Sequence, residues 1–267
     1  MLAFVNNELT NLHSAGISIT DLGLNRGYAV FDFFRIINGK FRFIEEHLER
    51  FFQSIALGKL PFSFTKAEVR ENIKILQAKN NIYNGFVKAV YTAGNSPDFA
   101  TVPEKGNLII SVGYLTPPNS EYYTEGVNLI SKKYQRECPE IKTTNYFFAQ
   151  MNRAEIKSAN AVDVIYYADY ITETSRCNIF FVKNKSVFTP KRNILQGITR
   201  KKLIEIAPQI KETDISFDEI KTFDEAFITS TTKELMPVVK IDNMIIGNGK
   251  VGEVYKALHQ EFAEAYG

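Results

Sequence analysis

Thr116-Pro117-Pro118-Asn119-Ser120 is the stretch that most restricts how this chain can fold. Consecutive prolines remove two backbone donors in a row and can continue neither a helix nor a central strand. The segments on either side are each long enough to bury a core of their own. The 267 residues therefore read as an N-terminal α+β domain over 1–115, a linker over 116–121 and a larger C-terminal α+β domain over 122–267.

Local patterns fill in that outline. Asn38-Gly39 is a strong hairpin signal and predicts paired strands over 33–37 and 41–44. Leu48, Phe51, Phe52 and Ile55 recur at helical spacing within 45–57. Thr65 with Glu68 forms a capping box, and Phe64 with Val69 a hydrophobic staple, at the start of a second helix. Strands are expected over 86–93, 108–112, 127–131, 162–167 and 226–230, and a hairpin turns at Asn184-Lys185. Helices are expected from about 145, from about 199 and over 252–266. Strands and helices do not alternate cleanly, which favours an α+β fold over a doubly wound sheet.

Composition excludes several function classes. Thirty-two basic and 30 acidic side chains give a formal charge of +2, so no electrostatic argument points to nucleic acid or an anionic membrane. No apolar run is long enough to span a bilayer. Cys138 and Cys177 are too few for a disulfide framework, and a reducing cytoplasm fits, although one bridge between them stays open. His13, His47 and His259 lack metal-ligand spacing, so no metal is expected.

Four segments carry chemistry. Lys142, in Ile141-Lys142-Thr143-Thr144-Asn145-Tyr146, is an amine able to condense with an aldehyde, although a lone lysine is more often a solvated one. Glu173 could pair with a pyridine nitrogen or simply face water at a strand end. Gly197-Ile198-Thr199-Arg200 opens a helix, where free N–H groups and the dipole suit an anion; an ordinary capped loop reads the same way. Ser230-Thr231-Thr232 follows an apolar strand and offers hydroxyls. In Glu46-His47-Leu48-Glu49-Arg50, the arginine points away from the apolar stripe. It is either solvated or able to grip a phosphate bidentately, and periodicity does not choose.

In order along the chain, these segments resemble the class IV aminotransferases. These are the fold-type IV pyridoxal-phosphate enzymes, which include branched-chain and D-amino-acid aminotransferases and 4-amino-4-deoxychorismate lyases. The matching pieces are Arg26-Gly27-Tyr28-Ala29-Val30-Phe31-Asp32, Glu46 to Arg50, Lys142 to Tyr146, Thr172-Glu173 with Asn178-Ile179-Phe180, Gly197 to Arg200, and Thr229 to Thr232. The resemblance implies two α+β domains, a cofactor in the cleft between them, and a homodimer whose partner contributes to the site. It implies that Lys142 carries pyridoxal 5'-phosphate as a Schiff base and shuttles a proton, that Glu173 pairs with the pyridine nitrogen, and that Tyr146 bonds the phenolic oxygen. Arg50, Ile198, Thr199 and Thr231 would hold the phosphate. Phe31, Thr232, Arg26 and Lys88 are candidates for the substrate side.

The pattern departs from the branched-chain enzymes. Asn25-Arg26-Gly27 stands where they carry an aromatic residue, Asp32-Phe33-Phe34 follows Phe31 without a glycine, and the strand reads Phe86-Val87-Lys88-Ala89-Val90. Arg26 and Lys88 could clamp a substrate carboxylate, as in atypical D-amino-acid enzymes, or Lys88 could snorkel from a strand into water. The leading expectation is transamination between an amino acid and a 2-oxo acid. The alternatives are a lyase releasing pyruvate from aminodeoxychorismate and a non-catalytic cofactor-binding protein.

Overall fold

The computed structural model describes residues 1–267 and divides into two compact units. One holds Met1–Thr116 with Ile141–Asn145, and the other holds Pro117–Glu140 with Tyr146–Gly267. The sequence reading groups Lys142 with the C-terminal domain, whereas the contacts group it with the first unit. Main-chain pairing is the reason. Phe31 N–H donates to the Lys142 carbonyl at 2.9 Å, Thr144 N–H donates to the Ala29 carbonyl at 3.0 Å, and Val30 bridges Thr143.

In the first unit, strands Leu2–Val5 (β1), Glu8–Asn11 (β2), Ala29–Ile37 (β3), Lys40–Phe41 (β4), Gly85–Thr92 (β5) and Asn107–Gly113 (β6) form an antiparallel sheet in the order β2-β1-β6-β5-β3-β4. Helices Leu22–Arg26 (α1), Ile44–Leu57 (α2) and Lys66–Asn80 (α3) accompany it. The period-two alternation of β3 buries Val30, Asp32, Phe34 and Ile36 on one face and leaves Phe31, Phe33 and Arg35 half-buried on the other. The buried face of β3 shares one core with Leu48, Phe51 and Ile55 of α2 and with Val69, Ile73 and Leu76 of α3. The expected capping box closes the start of α3. The second arm of the Asn38-Gly39 hairpin is shorter than expected, because Ile44 already starts α2.

The second unit carries helices Glu121–Thr124 (α4), Phe147–Met151 (α5), Arg153–Ser158 (α6), Ile198–Ile206 (α7) and Glu253–Tyr266 (α8). Its strands are Val127–Lys133 (β7), Ala161–Tyr167 (β8), Ile171–Thr174 (β9), Asn178–Lys183 (β10), Ser186–Pro190 (β11), Lys211–Thr213 (β12), Glu225–Ser230 (β13), Glu234–Ile241 (β14) and Met244–Ile245 (β15). They order as β12-β11-β10-β13-β14-β7-β8-β9, with β15 on β14. The ladders β14–β7, β7–β8 and β11–β12 are parallel and the others antiparallel, the mixture expected of an α+β unit. The helix expected from Asn145 starts at Phe147 and is interrupted at Asn152. Leu203 of α7 and Tyr255, Leu258 and Phe262 of α8 pack with Phe180 and Phe227. Cys138 and Cys177 are both free thiols. No helix is long and apolar enough to cross a membrane.

Candidate active site

In the first unit the candidate residues gather around β3 and α2. Lys142 places its Nζ 4.6 Å from the centre of the Phe31 ring, and Lys88 places its own 5.8 Å from the same ring. Phe31 and Lys88 stand on the half-open face of the sheet, where β3 and β5 pair. Lys88 is exposed at that face, so its cation keeps contact with water as well as with the ring. The backbone N–H of Lys142 donates to Ser54 Oγ of α2 at 3.2 Å.

Arg50 is not a solvated arginine. Its Nε donates to Asp32 Oδ2 and its Nη2 to Asp32 Oδ1, both at 2.8 Å, a bidentate fork that leaves Nη1 outside the pair. Asp32 also accepts from the Phe33 N–H at 2.7 Å and from His47 Nδ1 at 2.7 Å. Burial alone would push the Asp32 carboxyl up, but the adjacent Arg50 and His47 overcome that and hold it well below the usual carboxylate range. Burial also pulls the His47 imidazole down, against the opposing pull of Asp32, with the Arg50 and Lys142 cations adding to the shift. A neutral His47 with its proton on Nδ1 satisfies both groups.

Arg26 has a different neighbourhood. Its Nε donates to the Phe99 carbonyl at 3.0 Å. Phe99 lies in a loop held by Asp98, which accepts from Ser96 Oγ, the Ala100 N–H and Thr101. The structure thus brings Lys142, Lys88 and Phe31 together, while Arg26 is tied to this loop. A cleft beside Asn6, Asn95 and Asn107 contains none of the candidate residues.

In the second unit Glu173 lies in β9 with only 6% of its side chain exposed. Arg136 Nε donates to its Oε1 at 2.7 Å, and the Leu195 N–H to its Oε2 at 3.0 Å. Tyr146 is the residue before α5. Burial pushes its phenol up to about 12, with Arg136 pulling it down and Glu173 pushing it further up.

The start of α7 is open. Gly197 is its N-cap and no side chain caps it; the Lys201 N–H makes the first helical bond, to the Gly197 carbonyl at 2.9 Å. That leaves first-turn N–H groups, including those of Ile198 and Thr199, aimed out of the helix. Gly197 is required locally, because an added Cβ would lie 2.0 Å from Asn178 Oδ1. Asn178 fixes this turn by donating from Nδ2 to the Leu195 carbonyl at 2.9 Å. Thr229, its register partner on β13, carries a buried hydroxyl with no hydrogen-bond partner. Thr231 and Thr232 occupy the half-buried turn between β13 and β14.

Asp32, His47, Asn178 and Thr229 stand within the matching segments but were given no role by sequence reasoning, and Arg136 stands outside them. Asp32 had a signal, since it is an acid in a slot of β3 whose neighbours in the alternation are Val30 and Phe34. Arg136 had none, because only the fold brings it to Glu173.

Residues 29–241 match the family model for amino-transferase class IV. The chain is 31% identical to the D-alanine aminotransferase of Listeria monocytogenes, an alignment spanning 99% of this chain and 96% of that one. Among solved structures it shares its fold with the branched-chain amino acid aminotransferase of Escherichia coli (TM-score 0.92, 23% identity, 99% and 94% of the two chains). It also shares it with a putative 4-amino-4-deoxychorismate lyase of Legionella pneumophila (TM-score 0.82, 24% identity, 94% and 97%). The chain belongs to the class IV aminotransferases. These are enzymes that use pyridoxal 5'-phosphate. The residues present fit that group: an uncapped helix start and an unpartnered buried hydroxyl suit a phosphate, and a buried carboxylate suits a pyridine nitrogen.

Proposed function

We propose that this enzyme transfers an amino group between a D-amino acid and a 2-oxo acid, with branched-chain L-amino acids as the second substrate class to be tried. The observation that carries the reading is the placement of the Lys142 amine against the Phe31 ring, beside a second cation at Lys88. The near full-length likeness to a D-alanine aminotransferase supports the D-amino-acid choice.

When bound, pyridoxal phosphate supplies an electron sink for the charge left as the substrate Cα–H bond breaks. In the first unit, Lys142 Nζ would take that proton and give it back, Arg50, aimed by Asp32, would bind phosphate, Phe31 would bound the substrate, and Lys88 and Arg26 would receive its carboxylate. In the second unit, Glu173 would pair with the pyridine nitrogen, Tyr146 would donate to the phenolic oxygen, the N–H groups of Ile198 and Thr199 and the hydroxyls of Thr199 and Thr231 would hold phosphate, and Thr232 would bound the substrate. The working form is a cytoplasmic homodimer, which light scattering of the purified protein checks.

The test is a spectral screen in which purified holoenzyme is mixed with D-alanine, D-glutamate or L-leucine, then with 2-oxoglutarate. Conversion of the cofactor to its amino form by a D-amino acid supports the reading, and no conversion by any amino acid overturns it. The lysine at position 88 also suits a lyase. Pyruvate and an aromatic product from aminodeoxychorismate, without transamination, would favour that alternative.

A further inference from the structure

Glu173 is a buried acid with an arginine already attached to it, and that arginine has no role in the reading above. Arg136 comes from the stretch between β7 and Lys142. Its side chain is 18% exposed, its Nε donates to Glu173 Oε1 at 2.7 Å, and its Nη2 donates to the Pro139 carbonyl. Pro139 lies only three residues before Lys142 in the chain. The other nearby cation, Arg176, is turned elsewhere: its Nε is 4.0 Å from Asp163 and its side chain is 58% exposed.

A carboxylate has about four acceptor positions. Those of Glu173 include one filled by Arg136 Nε and one filled by the Leu195 N–H. A buried glutamate without a cation would instead take up a proton itself. It would then donate to a neutral ring nitrogen rather than hold a protonated one. A cation nearby also disfavours a charged ring, but Arg136 touches the carboxylate directly, at 2.7 Å. Its effect on the acid therefore dominates.

We infer that Arg136 is a positioning residue that keeps Glu173 ionised and aimed, and so places the proton of the acid–pyridine pair on the ring nitrogen. Beyond burial, Arg136 and Glu173 act in opposite directions on the Tyr146 phenol, Arg136 lowering it and Glu173 raising it. This inference rests on Glu173 being the partner of the pyridine nitrogen.

The experiment uses holoenzyme carrying cofactor labelled with nitrogen-15 in the ring, in the wild type and in Arg136→Gln, Arg136→Lys and Glu173→Gln variants. Nitrogen-15 NMR reports the ring proton, and isotope-edited infrared spectroscopy reports the charge of Glu173. Arg136→Gln should move the ring resonance toward neutral pyridine and give a carboxylic-acid band absent from the wild type. It should also lower kcat by about tenfold or more with KM changed less than about threefold. Arg136→Lys should restore the protonated ring. Wild-type spectra in Arg136→Gln would overturn the inference. So would a carboxylic-acid band for Glu173 in the wild type near pH 7, a measurement that needs no variant to fold. If Glu173→Gln also leaves the ring resonance unchanged, the assignment of Glu173 itself fails. If Glu173→Gln moves it and Arg136→Gln does not, only the role of Arg136 fails.

Discussion

The two units each hold a buried acid paired with an arginine, and the pairs work in opposite senses. In the first, Asp32 Oδ1 accepts from Arg50 Nη2, His47 Nδ1 and the Phe33 N–H, and its Oδ2 accepts from Arg50 Nε. The acid is committed to these protein groups, and the Nη1 arm of the arginine stays outside the pair. In the second, Glu173 accepts one Arg136 Nε bond and one backbone N–H, while Arg136 directs a further arm at the Pro139 carbonyl. There the arginine is held by two acceptors, the Glu173 carboxylate and the Pro139 carbonyl, and acts as a support. On the proposed reading, the first pair would serve to present a cation to a phosphate and the second to present an anion to a protonated pyridine.

Substitutions can break that contrast, and the largest effect is expected at the amine between the two roles. Lys142→Ala should lower turnover by about four orders of magnitude or more and remove the visible absorbance of lysine-linked cofactor, checked by a coupled assay and an absorption spectrum. Active, normally coloured protein would refute the assignment of Lys142. Next comes Glu173, the acid proposed to pair with the ring nitrogen. Glu173→Gln should retain cofactor but lower kcat by about two orders of magnitude, with KM little moved, and unchanged kcat would assign the ring nitrogen to another group.

Asp32→Asn should act mainly on stability and phosphate affinity, because it strips a buried guanidinium of its counter-charge. A loss of about 3–5 kcal/mol in urea unfolding is expected, with weaker binding of pyridoxamine phosphate. The effect has a defined pH dependence. The folded-state pKa of Asp32 lies below its unfolded value, so the stabilisation is complete above the unfolded carboxylate value of about 4 and fades as pH falls through the folded one. The stability gap between wild type and Asp32→Asn should therefore narrow below about pH 4, and a gap that stays constant there would detach Asp32 from the ion pair. The smallest effect is expected at Arg26, which is exposed and held by the Phe99 carbonyl. Arg26→Ala should raise the substrate KM by about tenfold with kcat within about twofold, and an unaltered KM would remove it from carboxylate binding.

Features that depend on local periodicity were legible before any coordinates. The stripe Leu48, Phe51 and Ile55 of α2, the Thr65–Glu68 cap and the Asn184-Lys185 hairpin are each written within one or two turns of chain. What was hidden depends on pairing at long range. β14 carries Pro237 yet runs between β13 and β7, with a register shift between Val238 and Lys240, so a residue that argues against a central strand concealed one. Arg50 illustrates the same point in the site. Its angle on the helix is off the apolar stripe, and only the strand carrying Asp32 turns that angle into a binding position. Lys142 and Glu173 were named through the ordered motifs. The groups that pair with Arg50 and Glu173, namely Asp32 and Arg136, come from segments far from these partners in the chain.

The return of Ile141–Asn145 to the first unit has a consequence for synthesis. Ribosomes deliver the chain from its N-terminus, so the first sheet, complete in sequence by Gly113, must wait for almost thirty further residues before the main-chain groups of Ala29 and Phe31 find Thr144 and Lys142. A fragment truncated at the proline pair would therefore lack both the reactive amine and the hydrogen bonds that finish its own edge. Cutting the gene at that apparent boundary would yield two pieces, neither of them the unit that the folded protein contains.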